Sequence, residues 1–509
     1  MFSLVLSLVA CFPNETFLHR FDDNTLPDPS VDDSLELGDD QYGGTGWVIP
    51  DEDEPAPDLT PDGADVAWAR AEGTPGVDQP DAVAALGEGR LVVSSREGLG
   101  LTPGSDLGAW IQMLDADGDV RWSRVLAPAD SGVVVHTLLA TDDDGFWACA
   151  DIPGGAGLST WLQPLPDLWG QSLVAMRFDI DGELLTMRAL GAQDGGDVSG
   201  GCGLDQQGNL VMDGQVVGGP VELSYELGRL LLPALVDRGF ALVLDDEGDL
   251  DHMSTWPAAG LSRVHSTVLP DGTMFQLVDY SGVPDVTLGV EQLPVCSDGQ
   301  ICRAMLAVDG AGAMRWLAGM GPSVGGAAML SATADGGLLL TTRPAPGSYL
   351  PQGVGDDQPL SGDAAVVVRY SPELSISWTQ RVAADLFVQT LADDGAGGAL
   401  LGIFTGAAGG VELGDRQILT EHDDGSMVLA ALDEHGQTDW LFAGRGTGTA
   451  WPTDLVMVDD ELIVMGGLRG ALVLDQGGET EVALLSVSDF TGAYTSDVLL
   501  TRLAMRWDE

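Results

Sequence analysis

The stretch IQMLDADGDVRW (111–122) decides the fold, because the chain repeats its pattern. A short apolar run, a tight Asp/Gly turn and then often Trp recur in five further segments. These are VAMRFDIDGELL (174–185), ALVLDDEGDLDH (241–252), AMLAVDGAGAMRW (304–316), VVVRYSPELSISW (366–378) and VLAALDEHGQTDW (428–440). The Asp residues stand at 115, 179, 245, 309 and 433, and Ser371 takes the Asp place in one unit. Alternating apolar residues turn one face of a strand inward. Asp-x-x-Gly supplies the turn, since Gly tolerates positive φ and Asp bonds the local backbone. A Trp beyond the turn can cover the joint between neighbouring sheets, and burying it stabilises by about 2–3 kcal/mol. On this reading Trp68, Trp122, Trp316, Trp378 and Trp440 dock one sheet on the next.

A second hairpin follows each first one, as in HTLLATDDDGFWACAD (136–151), GCGLDQQGNLVMDG (201–214), HSTVLPDGTMFQLVD (265–279), LSATADGGLLLTT (330–342) and QTLADDGAGGALLGIF (389–404). A Gly-rich stretch with a short apolar element comes next: VELSYELGRLL (221–231), VTLGVEQL (286–293), VELGDRQIL (411–419). Four short strands per unit, with no long helical period, predict an all-β propeller. VLLTRL (498–503) reads as a strand without its sequel, and DVAWAR (65–70) matches the sequel DVRWSR (119–124). Pairing the two ends closes a ring of seven blades of four antiparallel strands and hides two sheet edges. An eighth blade is the alternative, if two units are merged near 470–495.

Composition narrows the function. Acidic residues number 79 against 21 basic ones, for a formal net charge of −58, and every basic residue is Arg. Phosphate backbones are bound through Lys and Arg patches, so nucleic acid is excluded as a partner. Docking on anionic lipid through a basic face is excluded likewise. The chain opens MFSLVLSLVAC (1–11), an apolar run that suits a signal segment and is too short to span a bilayer. Leu8-Val9-Ala10-Cys11 resembles the lipobox of bacterial lipoproteins, although no basic residue precedes the run. This resemblance implies a lipid on Cys11. Residues 12–64, with PDPSVDDSLELGDD (27–40) and PDEDEPAPDLTPDG (50–63), read as an acidic, Pro-rich tether that cannot offset its ordering entropy. Residues 65–509 are the propeller.

Units such as FTGAAGGVELGDRQILTEHDDGSMVLAALDEHGQTDW (404–440) resemble the β-propeller repeats of secreted and surface lipoproteins of high-GC Gram-negative bacteria. They are distantly similar to quinoprotein-type blades, whose hairpin Trp docks blades together. That pattern spaces Asp and Trp one residue further apart, and the adjacent Cys pair of many quinone-dependent alcohol dehydrogenases is absent. No cofactor is expected.

Four cysteines remain beyond Cys11, an even number that suits disulfides outside the cytoplasm. Cys296 and Cys302 flank the small loop SDGQI, and Cys149 and Cys202 lie on corresponding hairpins of adjacent units, which makes a bridge between blades. A zinc site does not fit their spacing.

No catalytic constellation stands out. GPSVG (321–325) matches a nucleophile elbow at Ser323, but it falls in a Gly-rich connection rather than between a strand and a helix. His19, His136, His252, His265, His422 and His435 are scattered. DADGD (115–119) and DDDG (142–145) offer oxygen ligands for calcium, yet ordinary hairpin turns explain them.

The expectation is therefore a monomeric, extracytoplasmic propeller, held to the membrane only through an N-terminal lipid. It acts as a binding or scaffolding module for a protein or glycan at the cell envelope. The alternatives are an enzyme with its site at the channel mouth and a calcium-stabilised structural surface protein. Convergent polar groups in the channel with perturbed pKa values favour the enzyme. A bare or solvated channel favours the binding module, and a melting temperature raised by calcium favours the third.

Overall fold

The computed structural model describes residues 64–505, apart from short stretches between strands, the longest being 159–169 and 486–495. The signal segment, Cys11 and most of the tether lie outside the described residues. Among the described residues all long elements are strands, with one 3-10 turn at Gly87–Gly89. No helix there is long and apolar enough to cross a membrane.

Seven antiparallel blades follow one another. Blade 1 runs Val77–Ala85, Leu91–Leu99, Gly108–Leu114 and Val120–Pro128. Blades 2 to 6 span 134–192, 197–257, 261–323, 329–382 and 386–443. Blade 7 takes Thr449–Val458, Glu461–Arg469 and Asp497–Met505 from the C-terminal end and Ala64–Glu72 as its outer strand. The pairing of the two ends thus closes the ring. The first strands of successive blades meet one another around the axis, blade 7 against blade 1 included.

The described residues of 470–495 make no eighth blade. Ala471–Asp475 and Glu481–Leu485 form a hairpin inserted between the second and third strands of blade 7. The apolar elements after each second hairpin have the same origin. Val221–Tyr225 and Gly228–Leu232 leave blade 3 and add to the outer strand of blade 2, with Leu223 opposite Leu190. Gly409–Leu413 and Arg416–Thr420 leave blade 6 and meet blade 5 at Val382. Such inserts cover edges that would otherwise offer unpaired backbone.

Blades stack face to face, so their middle strands are buried on both sides. Ala399–Thr405 and Ser426–Leu432 are buried at every residue, whereas the outer strand Val120–Pro128 alternates. Near-continuous apolar runs such as SMVLAAL are the sequence trace of that double burial.

The repeated turn works through its Asp. The Asp115 carboxylate accepts the backbone N–H groups of Asp117 and Asp119, at 3.1 and 2.9 Å. Asp179, Asp245 and Asp433 each do the same two and four residues on. The Gly of the turn has a second task. The ring of Trp68 lies against Gly118 of blade 1, that of Trp122 against Gly182 of blade 2, and that of Trp378 against Gly436 of blade 6. Trp68 and Trp122 also donate Nε1–H to carbonyls of those turns, Ala116 O at 3.0 Å and Ile180 O at 2.9 Å. In blades 2 and 3 the equivalent positions hold Thr186, against Gly248, and His252, which bonds Gly310 O. Trp440 faces blade 7, whose outer pair comes from opposite chain ends and has no such turn. It is buried in the core beside Leu499 and Leu503.

Both disulfides form as the spacing implied. Cys149 in blade 2 bonds Cys202 in blade 3, and Cys296 bonds Cys302 at the start of the third strand of blade 4.

Candidate functional site

Polar side chains gather on the first and second strands of several blades. Their positions share a backbone cause. In five first strands the register against the second strand slips by one residue at the same place. The extra residue is Asp81 in blade 1, His136 in blade 2, Val264 in blade 4, Gln389 in blade 6 and Thr453 in blade 7. A β-bulge bends the strand and re-aims side chains, and bulges concentrate at barrel rims and functional sites.

The densest part of this wall crosses blades 2 to 4. His136 Nε2 stands 3.9 Å from Asp151 Oδ1 on the adjoining strand, while Asp151 Oδ2 accepts from Gln171 Nε2 at 2.9 Å. Asp213 of blade 3 is held from blade 4 by Ser266 Oγ at 2.8 Å and Gln276 Nε2 at 2.6 Å. Arg263 donates from Nη2 to Ser266 Oγ at 2.8 Å, and its Nε lies 3.6 Å from Asp213 Oδ2, beyond hydrogen-bond reach. Gly201 makes room for this arginine. A Cβ there would stand 2.3 Å from the guanidinium.

Three buried polar atoms of this wall have no hydrogen-bond partner among the described residues: His136 Nε2, Asp151 Oδ1 and Arg263 Nε. A buried polar group without a partner is costly, and three of them stand on this one wall. Burial raises the Asp151 carboxyl to about 6 against the pull of Arg263. It lowers the His136 imidazole to about 3, helped by the charges of Arg263 and His265, and His265 itself to about 4. His136 and His265 are therefore neutral at pH 7.

Not every perturbed group here faces a gap. Asp81, raised to about 7 by burial, pairs with Arg96 at 2.9 Å. Asp454, raised by burial to about 6, accepts the N–H of Val83 across the joint between blades 7 and 1 at 3.0 Å. His265 Nδ1 accepts Leu330 N–H from blade 5 at 3.2 Å. Asp454 and His265 follow their bulges directly, and both tie one first strand to the next.

The other sequence candidates lie apart. Ser323 ends the fourth strand of blade 4 and bridges Pro344, with no helix beside it. His252 and His435 sit on outer parts of blades 3 and 6, and His19 and His422 lie outside the described residues. Asp245, Glu247 and Asp249 bring carboxylate oxygens within 4.8 Å of one another, but one Asp245 oxygen is engaged by two backbone N–H groups. Asp151, Asp213 and Arg263 carry no motif that singles them out in the sequence. The Gly200-Gly201 pair inside a strand was the available signal, since Gly there marks a close approach.

No protein family matches this chain by sequence, and no curated protein does. Solved structures match in part. A protein of unknown function from Bacteroides caccae is 12% identical, covering 72% of this chain and 94% of its own, at a TM-score of 0.33. One of unknown function from Dyadobacter fermentans is 11% identical over 87% and 100%, at 0.35. The GH93 α-L-arabinofuranosidase of Fusarium graminearum is 9% identical over 86% and 98%, at 0.37. The architecture therefore rests on the blades themselves: this chain is a seven-bladed β-propeller.

Proposed function

We propose that this propeller is an extracytoplasmic module of the cell envelope, anchored through Cys11, that binds a glycan on the channel wall at His136, Asp151 and Arg263. The observation that carries the reading is the set of three unpartnered polar atoms there. Arg263 Nε can only donate, His136 Nε2 donates or accepts by tautomer, and Asp151 Oδ1 accepts when ionised. Sugar hydroxyls both donate and accept, so a polyhydroxylated ligand satisfies all three. The two disulfides suit an oxidising compartment.

The test is retention of envelope polysaccharides by the purified full chain. Asp151→Ala and Arg263→Ala should abolish retention while the melting temperature holds. Retention unchanged in both variants rejects the site. Cys11→Ser should move the protein from the membrane fraction to the soluble one, and unchanged fractionation rejects the anchor.

One observation favours the enzymatic reading. A carboxyl raised to about 6 beside a neutral imidazole is poised for general acid catalysis near neutrality. On that reading Asp151→Asn stops the release of reducing ends from a bound glycan without weakening its retention.

A further inference from the structure

The joint between blades 4 and 5 breaks the docking rule. At the others that hold Trp before a full turn, the indole lies on a bare Gly. Here Trp316 and the turn residues Pro372, Glu373 and Leu374 line one groove, and Leu374 takes the positive φ of 62° that Gly takes elsewhere. The leucine brings a side chain into the place that Gly leaves open. Trp316, Leu374 and Ile376 pack against one buried cluster, and Trp316 is tilted 59° to Phe275 of that cluster, with ring centroids 6.3 Å apart. Beside this aromatic corner a groove of about 590 Å³ opens, within the ~300–1,000 Å³ of ligand sites.

The groove's remaining wall decides the charge of its occupant. Asp271 comes from a turn of blade 4, and Asp335 and Glu373 from two turns of blade 5. Asp335 is paired with Arg369 at 3.0 Å. Among the described residues Asp271 accepts the N–H of Thr273 and Glu373 the hydroxyl of Ser371, and neither pairs with a basic side chain. Arg315, the one basic lining residue, is bonded to Asp309. The groove thus joins an aromatic ring to two carboxylates, Asp271 and Glu373, that have no basic partner among the described residues.

We propose that this groove binds an organic polycation with an apolar body, of the polyamine class. Its methylenes lie over Trp316, where the ring face also attracts the cation, and its ammonium groups face Asp271 and Glu373. A chain of net charge −58 gathers cations over its whole surface, so the test must separate the groove from that background. Calorimetric titration of the full chain with spermidine at physiological salt should show one site above the diffuse background. Trp316→Leu and Leu374→Gly alter no charge. Each should weaken that site about tenfold, the first by removing the ring face and the second by letting the indole close on the turn. Asp271→Asn with Glu373→Gln should weaken it as much. Leu374→Gly suits a positive-φ position and removes neither a charge nor the ring, so it remains informative if Trp316→Leu fails to fold. Affinity unchanged in Leu374→Gly, or in the carboxylate double variant, overturns the proposal, as does the absence of a discrete site.

Discussion

Trp122 lies face-on against Gly182: a Cβ at Gly182 would stand 2.9 Å from three atoms of the indole. One glycine thus serves the turn of its own blade, with φ at 76°, and the floor on which the preceding blade rests. Gly208 separates the two tasks. It has φ of 79° in the same kind of turn, and a Cβ there would have nothing within 4 Å. Gly208→Ala should cost about 1 kcal/mol, the backbone share alone. Gly182→Ala should cost a further ~1–3 kcal/mol from overpacking. Urea midpoints compare the two, and equal losses would mean that the indole does not bear on the turn.

How much of this was legible follows from where each signal resides. The Asp-x-x-Gly turns are local, so the residues that make them also announce them. Ring closure was legible because DVAWAR at 65–70 copies DVRWSR at 119–124. The channel wall was not. His136 and Asp81 sit where the register slips by one residue, and a period-two reading cannot see a slip. Asp151, Asp213 and Arg263 stand far apart in sequence, and only stacking of blades 2 to 4 brings them together. The inserted hairpins were visible as apolar elements but not as covers for a neighbour's edge, because the partner strand belongs to the preceding blade.

The two channel histidines set a pH dependence of known sign. Folding lowers His136 to about 3 and His265 to about 4 from an ordinary 6.5. Between those values the unfolded chain binds more protons than the folded one. Their contribution is complete above pH 6.5 and is lost as pH falls toward 4. Asp81, Asp151 and Asp454 act oppositely, since folding raises them to about 7, 6 and 6 and acid favours their folded form. His136→Gln removes one histidine and leaves all three carboxyls. Relative to the native chain, the variant should gain stability as pH is lowered from 6.5 to 4.5, as read from urea midpoints. No relative gain would show that His136 is not held neutral.

The disulfides should differ in worth. Cys149 and Cys202 are separated by 53 residues, Cys296 and Cys302 by 6. Loop-closure entropy assigns about 4 kcal/mol to the first and about 2 kcal/mol to the second. Replacing each pair by Ala and comparing denaturation midpoints tests the ranking. A larger loss from the short loop would move the explanation from the unfolded chain to native contacts around Cys296.

Closure of the ring depends on few residues. Arg502 on the third strand of blade 7 pairs with Glu461 and donates from Nη1 to the carbonyls of Gly89 and Ala116 in blade 1, at 3.1 and 3.0 Å. Ser496 O accepts the N–H of Asp78 at 2.8 Å, and Asp454 holds Val83. Those bonds join blade 7 to blade 1 without the N-terminal strand, which adds Trp68 on the Gly118 turn and covers Asp497–Met505 along eight paired positions. A chain beginning at Pro61 should melt with the full chain and stay monomeric. A chain beginning just after Glu72 keeps the Arg502, Ser496 and Asp454 contacts, loses the Trp68 docking and bares Asp497–Met505 as a long apolar edge, which should pair between molecules. Light scattering should show dimers or larger species, and a synthetic peptide of residues 61–74 should return them to monomer. A monomeric truncated chain with an unchanged melting temperature would mean that the edge is protected by something other than the strand that now covers it.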